Sequence, residues 1–252
     1  MLKKVLIVFL LVFASSNILK AQNRVDTCIS SFIINFAYSY QIPGGDIAET
    51  FGSNSTIGGG FFYKTNKNFL WSADVNFMFG STIKGADDIL SMVLNQDGYI
   101  IDGNGTYALF AMYERGYTLN LRFGKIFNVL SSTPNSGIMV MGGLGYLSHH
   151  LVIDNQYNTA PQISGDYAKG YDRLTGGINI NEFIGYFYMG KSRILNFYGG
   201  FEFIQGFTKS QRDFVFDQMK KDTDKKLDLF YGIRVGWMIP TNRKTPNKYY
   251  YY

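Results

Sequence analysis

The sequence predicts an all-β protein: an eight-stranded antiparallel up-and-down transmembrane β-barrel with long extracellular loops and short periplasmic turns. Three observations support this prediction, namely a leading segment typical of export, eight segments of alternating hydrophobicity, and connections that alternate between long and short. Aromatic residues make up 17% of the chain and there are 28 glycines. This composition is typical of strand-rich proteins that contact lipid.

The first residues have the pattern of a secretion signal peptide. Lys3 and Lys4 precede an apolar stretch of about ten residues, which is shorter than the roughly 20 residues that a membrane-spanning helix needs. Ala21 is the small residue that cleavage requires. The predicted division is therefore a signal peptide at 1–21, a barrel at 22–240 and a periplasmic C-terminal tail at 241–252.

Charge and cysteine content exclude several classes of protein. The predicted signal peptide holds three lysines and no acid, so the rest of the chain keeps 21 basic and 19 acidic residues. This near balance is not the footprint of a nucleic-acid-binding protein. Cys28 is the single cysteine, so no disulfide forms within the chain, and it lies too far from the apolar stretch for lipid attachment.

The first four predicted strands alternate apolar and polar side chains with a period of two, as strands do. Ser31–Gln41 alternates aromatic with polar residues, and Ile33 is its exception. Glycines separate the apolar residues of Thr56–Lys64. Phe69–Phe79 has an apolar face opposite Asp74, and Tyr117–Phe127 has an apolar face from Tyr117 to Phe123 opposite Arg122.

The last four predicted strands follow the same pattern with more interruptions. Ile138–Ser148 is rich in glycine, so its faces are ambiguous. Leu174–Tyr188 loses its phase near Asn181, which suggests a bulge. Leu195–Phe207 and Leu227–Ile239 again place aromatic and aliphatic residues on one face and charged residues on the other.

The polar faces contain charged residues, while the apolar faces are too aromatic and too continuous for the core of a water-soluble barrel. A lipid-facing exterior and a polar interior explain both features. Charges in the narrow interior of an eight-stranded barrel are costly unless they are paired. We therefore favour an internal salt-bridge network that plugs the barrel over a polar pathway through it. The predicted network consists of Asp74, Arg122, Glu202, Asp228 and Arg234.

The connections between predicted strands alternate in length. With the N-terminus in the periplasm, the odd-numbered connections are extracellular, and each is longer than every even-numbered one. This alternation is typical of outer-membrane barrels. The predicted extracellular connections are 42–55, 80–116, 149–173 and 208–226, and the predicted periplasmic ones are 65–68, 128–137 and 189–194.

The chain resembles the small outer-membrane β-barrels of Bacteroidetes-type bacteria, the porin-family or OmpA/OmpX-like barrels. The resemblance covers the whole predicted mature chain and implies a fold and a membrane, without implying a substrate. The stretches with this likeness are Gly145–Leu147, Lys169–Thr175, Asn196–Phe203 and Gly232–Trp237, together with Ala21 before Gln22.

Two segments are candidates for partner docking. In the longest external connection, residues 86–95 have helix-like spacing, which places Ile89, Met92 and Val93 on one side. The last four residues are aromatic and suit either a membrane interface or pairing with a partner as an added strand. These four residues are Tyr249, Tyr250, Tyr251 and Tyr252.

The sequence predicts no catalytic, cofactor-binding or metal-binding residues. His149 and His150 are the only histidines, and as neighbours on a strand they face opposite sides, which makes them a poor pair of metal ligands. Asp154 is nearby in the sequence, but no set of serine, histidine and aspartate is readable. We therefore expect a protein that is not an enzyme.

The predicted function is that of a non-enzymatic integral outer-membrane barrel, a structural or accessory subunit of a secretion, assembly or uptake complex. Its expected partners are outer-membrane lipid and other outer-membrane or periplasmic proteins, with no nucleic acid. Two alternatives stay open: a small-solute pore, although wide channels need about 16 strands, and a membrane enzyme acting on lipid or peptide.

Overall fold

The computed structural model describes residues 28–131, 133–190 and 194–241. The predicted signal peptide and the aromatic tail residues Tyr249–Tyr252 lie outside the described residues. Both predictions therefore remain predictions, as does the division of the chain into signal peptide, barrel and tail.

Eight strands form one closed ring. Each strand is antiparallel to the next one along the chain, and β1 pairs with β8 to close the barrel. The predicted fold class is therefore confirmed. The strands are β1 (Ser31–Gly45), β2 (Asn54–Lys64), β3 (Phe69–Gly80), β4 (Phe110–Phe127), β5 (Gly137–Asn155), β6 (Thr175–Met189), β7 (Asn196–Ser210) and β8 (Lys225–Pro240).

The connections divide between the two ends of the barrel. We call the end with connections 46–53, 81–109, 156–174 and 211–224 the long-loop end, and the end with 65–68, 128–136 and 190–195 the short-turn end. The predicted rule that every odd connection exceeds every even one is wrong in one case. Connection 46–53 has eight residues against nine in 128–136, because β1 and β2 extend past their predicted ends.

Short helical segments occur only in the long connections of the described chain. None of these helices is long and apolar enough to cross a membrane. They are α1 (Ile47–Thr50), α2 (Ala86–Ile89), a 3-10 turn (Pro161–Ile163) and α3 (Gly165–Ala168).

The exterior of the barrel is mostly apolar, and the interior contains most of the polar and charged strand side chains. On the exterior, Trp71 and Leu121 are 57% and 69% exposed. In the interior, Asp74 and Arg234 are buried. Removal of a charged side chain from water is unfavourable unless it is paired, whereas exposed aromatic rings are favourable in lipid. This distribution is that of a transmembrane barrel.

The predicted bulge near Asn181 is wrong. β6 keeps continuous pairing with β5 and β7, with Glu182 opposite Gly142 on one side and Phe203 on the other. The apparent loss of phase has a different cause. Glu182 points to the exterior while Phe183 is buried inside, so polar and apolar residues exchange faces without a change of backbone register.

The barrel interior is layered along its axis. A loop-side apolar layer, defined by Met78, Leu147, Ile204 and Phe230, lies towards the long-loop end. A turn-side apolar layer, which includes Phe62, Met141, Phe183, Phe187 and Tyr198, lies towards the short-turn end. The strand register places Asp74 of β3, Arg122 of β4, Glu202 of β7 and Arg234 of β8 between the two layers. The interior is therefore filled, as expected for eight strands.

Candidate functional site

Four buried charged side chains form one network between the two apolar layers. Glu202 accepts from Nη2 of Arg122 at 2.7 Å and from Nη1 of Arg234 at 3.2 Å. Asp74 lies 3.7 Å from Arg122 and 3.8 Å from Arg234, measured between charged atoms. The four charges cancel. We call this set, Asp74, Arg122, Glu202 and Arg234, the ionic layer.

Neutral polar side chains complete the hydrogen bonding of the ionic layer. Arg122 Nε donates to Asn181 Oδ1 at 2.8 Å, and Arg234 Nη2 donates to Asn76 Oδ1 at 2.9 Å. Ser39 donates to Glu202 Oε2 at 3.2 Å. A buried ion pair is stable only when its remaining donors and acceptors are also satisfied. The surrounding asparagines and serine meet that requirement.

Asp228 is the fifth residue of the predicted network, and it lies elsewhere. It is fully buried near the long-loop end, beyond the loop-side apolar layer. Its Oδ2 accepts from Thr208 Oγ1 at 2.6 Å and lies 3.0 Å from His149 Nε2. The apolar side chains of Phe230, Ile204 and Leu147 separate it from the ionic layer, so the five predicted residues form two sites.

A polar cavity of about 270 Å³ opens above Asp228 at the long-loop end. His149 and Asp228 are at its inner end, and connections 46–53 and 211–224 form much of its wall. The ring of Phe51 packs edge-on against His149, with centroids 5.7 Å apart. No group of three or more histidine, cysteine, aspartate or glutamate side chains in the described ranges is arranged to hold a metal ion.

The predicted helix at residues 86–95 is shorter than expected, because α2 ends at Ile89. Ile89 is fully buried in the cluster that the long connections build over the barrel mouth, and Val93 packs partly buried against it. Only Met92 among the three predicted docking residues is largely exposed, at 54%. Burial therefore removes Ile89 from any docking surface.

Ion pairs tie the long connections to one another. Arg212 pairs with Asp172 through two hydrogen bonds, which join connections 211–224 and 156–174, and Arg173 pairs with Asp217.

Partial burial opposes ionisation of the Asp222 carboxyl, but the Lys226 ammonium at 2.6 Å outweighs this effect. The pKa of the Asp222 carboxyl is therefore below its usual value.

Apolar side chains are also exposed beyond the barrel mouth. Ile101 and Tyr107 form an isolated β-bridge in connection 81–109, and the rings of Tyr99 and Tyr107 lie 4.6 Å apart. These three residues and Leu109 are between 42% and 58% exposed. An exposed group of large apolar residues outside the lipid-facing band is typical of an interaction surface.

Sequence reasoning missed Glu182 and the pairing of His149 with Asp228. Glu182 occupies the same strand parity as Ile180 and Ile184, so it lies on the exterior. That parity was the available signal, and the bulge hypothesis obscured it. His149 and Asp228 are 79 residues apart in the chain. Their contact depends on strand order around the closed ring, which composition and periodicity do not specify.

No protein-family model and no curated protein matches the chain. Several solved structures are similar. Neisserial surface protein A has a TM-score of 0.44 at 9% identity, covering 82% of this chain and 96% of that one. Ail of Yersinia pestis, in complex with the heparin analogue sucrose octasulfate, has 0.39 at 7%, covering 84% and 99%. The outer membrane protein OprG from Pseudomonas aeruginosa has 0.40 at 14%, covering 86% and 99%.

Similarity at this level gives no information about ligands or partners. The closed ring and its apolar exterior are established by the strand pairing and the exposure of this chain's own side chains. The predicted origin in Bacteroidetes-type bacteria stays a prediction.

Proposed function

We propose that this chain is a non-enzymatic, non-conducting integral barrel of the outer membrane that acts as a structural or accessory subunit of an envelope complex. The observation that supports this proposal is the filled interior. Two apolar layers enclose the ionic layer, in which Glu202 is bonded to both Arg122 and Arg234. An ion crossing the barrel would have to break this network and then pass through apolar side chains, which is unfavourable.

A closed interior leaves the surfaces of the barrel as the places where it acts. At the long-loop end, Tyr99, Ile101, Tyr107 and Leu109 present an exposed apolar surface. We assign the long-loop end to the cell exterior and the short-turn end to the periplasm, since this is the usual arrangement in outer-membrane barrels. The exposed surface would then be available to another component of the same complex.

The proposal is tested by two measurements on the same purified protein. In a planar bilayer we expect no discrete conductance steps. After mild detergent extraction of outer membranes, with an affinity tag inserted at Asp166 in connection 156–174, we expect a partner set of fixed stoichiometry. A double variant, Tyr107→Ser with Leu109→Ser, provides the matched control and should lose partners that bind the exposed apolar surface.

Two results would overturn the proposal. Discrete conductance steps would favour the alternative of a small-solute pore. Recovery of the barrel alone from extracted membranes, with heat-modifiable electrophoretic migration showing that it is folded, would exclude a stable complex.

A further inference from the structure

Glu182 is a charged side chain in the middle of the lipid-facing surface. It is the eighth residue of the fifteen-residue strand β6, and its side chain is exposed. Ile180 and Ile184, the neighbouring exterior positions on β6, are also exposed. Across the ladders it faces Gly142 of β5 and Phe203 of β7. Its surroundings are apolar apart from Lys125, which is on β4, two strands away.

The depth of Glu182 prevents its carboxylate from reaching water. Tyr186 lies four residues towards the short-turn end, where its hydroxyl donates to the carbonyl of Leu130. With a rise of about 3.4 Å per residue and a strand tilt of about 40°, these four residues span about 10 Å along the membrane normal. A glutamate side chain has two methylene groups and is too short for that distance, unlike lysine or arginine.

The surroundings of the Glu182 carboxylate differ from those of both acids in the ionic layer. Asp74 and Glu202 each lie beside two arginines. In the described part of the chain, no donor bonds the carboxylate of Glu182. An ionisable side chain in hydrocarbon is costly, and such residues usually mark a functional contact with a specific partner. Lys125 of β4 is a basic residue on the same outer surface, but its ammonium lies over the rings of Phe69 and Phe127. The counter-charge for Glu182 is therefore expected from outside this chain.

The surface beside Glu182 is shaped for close approach. Gly142 has no side chain, and a Cβ atom built there would meet nothing within 4 Å. Glu182 and Gly142 line a groove of about 980 Å³ whose walls include Phe123, Ile184 and Phe201, with Lys125 at its β4 side. Small residues at a membrane-embedded contact allow two backbones to approach closely, which increases packing between them.

We propose that the outer surface around Glu182 and Gly142 is a docking site within the membrane for another integral protein that carries an arginine or lysine at the same depth. This inference rests on the proposed accessory-subunit function and names the partner's chemistry. Lipid chains carry no donor, and headgroup cations lie beyond the band of apolar residues. A basic side chain from a neighbouring protein satisfies the carboxylate and pairs with its charge.

A two-fold dimer of this chain does not fit the site. A closed dimer has a two-fold axis, and in a membrane that axis lies along the normal, because both copies insert in the same direction. The same surface would then meet itself, with one Glu182 opposite the other. Two carboxylates at close range in hydrocarbon repel each other. The partner is therefore a different protein.

Site-specific photo-crosslinking in native outer membranes tests the proposal. Benzoylphenylalanine replaces Ile184 beside the groove or, as a control, Ile57 on β2, which lies four strands away around the ring. We expect a discrete protein adduct from position 184 and lipid adducts from position 57. The crosslinked peptide of the partner should come from a membrane-spanning segment that contains arginine or lysine.

Two variants connect the adduct to the carboxylate and to the groove. Glu182→Leu removes the charge and Gly142→Leu fills the surface beside it, and each should reduce the adduct at least tenfold. Glu182→Asp, which keeps the charge, should retain most of it. Neither leucine variant introduces a polar group into lipid, so both should fold, and heat-modifiable electrophoretic migration verifies this. Once the partner's basic residue is identified, exchanging the two charges between the proteins should restore the adduct.

The outcomes separate this inference from the proposed function. An adduct at position 184 that persists in Glu182→Leu, or lipid adducts alone at that position, would overturn the docking site. If benzoylphenylalanine at Leu109 then still captures a stoichiometric partner, the accessory-subunit function stands without the docking site. If neither position captures a protein, both proposals fail.

Discussion

At the scale of single residues, the same amino acid has opposite roles on the two faces of the barrel. Glu202 is buried and bonded to two arginines, whereas Glu182 is exposed to the lipid side. The paired carboxylate stabilises the interior because its removal would leave two buried cations with Asp74 as their single counter-charge. The exterior carboxylate opposes insertion of an isolated barrel and is useful only when a partner covers it.

This contrast gives a matched pair of variants. Glu202→Gln should lower the free energy of unfolding by about 3–5 kcal/mol, the usual effect of removing one member of a buried ion pair. Glu182→Gln makes the same chemical change on the exterior and should leave the isolated barrel as stable or more stable. Urea titration of each barrel in lipid vesicles measures both values, and equal losses would contradict the assignment of Glu202 to a buried network.

Local sequence explains some residue positions and leaves others undetermined. The parity of β3 and β4 was sufficient to predict that Asp74 and Arg122 face away from lipid. It was not sufficient to separate Asp228 from them, because that separation depends on Phe230 and Ile204 filling the interior between them. Height along the barrel axis is set by the stagger of all eight strands, and no single segment encodes it.

At the scale of elements, the strands were easier to predict than the connections. All eight predicted strands overlap observed ones, because exterior and interior impose an alternation that is visible in the sequence. Towards the long-loop end, every strand except β6 extends further than predicted. β4 begins at Phe110, seven residues before the predicted start at Tyr117, since there the strand leaves the lipid and the exterior no longer needs to be apolar.

The long connections were poorly predicted because they pack on one another. Residues 86–95 have the spacing of an amphipathic helix, yet the helix stops at Ile89 and the chain turns to bury Leu90 as well. The stabilising contacts come from other connections, such as Phe51 and Ile163 in the same buried cluster. Spacing within one segment contains no information about these neighbours.

Connection 211–224 provides a prediction about pH. The Lys226 ammonium holds the pKa of Asp222 below its usual value, so the carboxylate stabilises the folded connection above the ordinary pKa of about 4. That stability is lost as the pH falls through the lower, folded pKa. At neutral pH, Asp222→Asn should raise the rate of proteolysis after Lys221 about fivefold, which corresponds to an ion pair worth about 1 kcal/mol.

The neighbouring acid supplies the control for this experiment. Asp224 is exposed and contributes only its backbone N–H to Asp222. The Asp224→Asn variant should therefore be cleaved by the protease at the wild-type rate. The difference in proteolysis rate between wild type and Asp222→Asn should disappear well below pH 4, where the aspartate is protonated and as neutral as the asparagine that replaces it. A difference that is independent of pH would show that the hydrogen bond, and not the charge, holds the connection.

At the scale of the whole molecule, an even number of strands places the start of β1 and the end of β8 at the short-turn end. The four long connections lie together at the opposite end. The exposed apolar surface at Tyr107 and the groove at Glu182 are therefore reached from different compartments. One faces the space beyond the long loops, and the other is reached only from within the membrane.

The orientation of the barrel follows from this arrangement and is testable in intact cells. In a Cys28→Ser background, which removes the single cysteine, Tyr157→Cys places a thiol at the long-loop end and Val129→Cys places one at the short-turn end. Both native side chains are at least 50% exposed, so each thiol should be reactive. A membrane-impermeant maleimide should label only the first variant in intact cells and both after the outer membrane is permeabilised. The reverse pattern would place the long connections in the periplasm, and the exposed apolar surface would then have to bind a periplasmic partner. The membrane-embedded site at Glu182 would be unaffected, because it lies midway between the two ends.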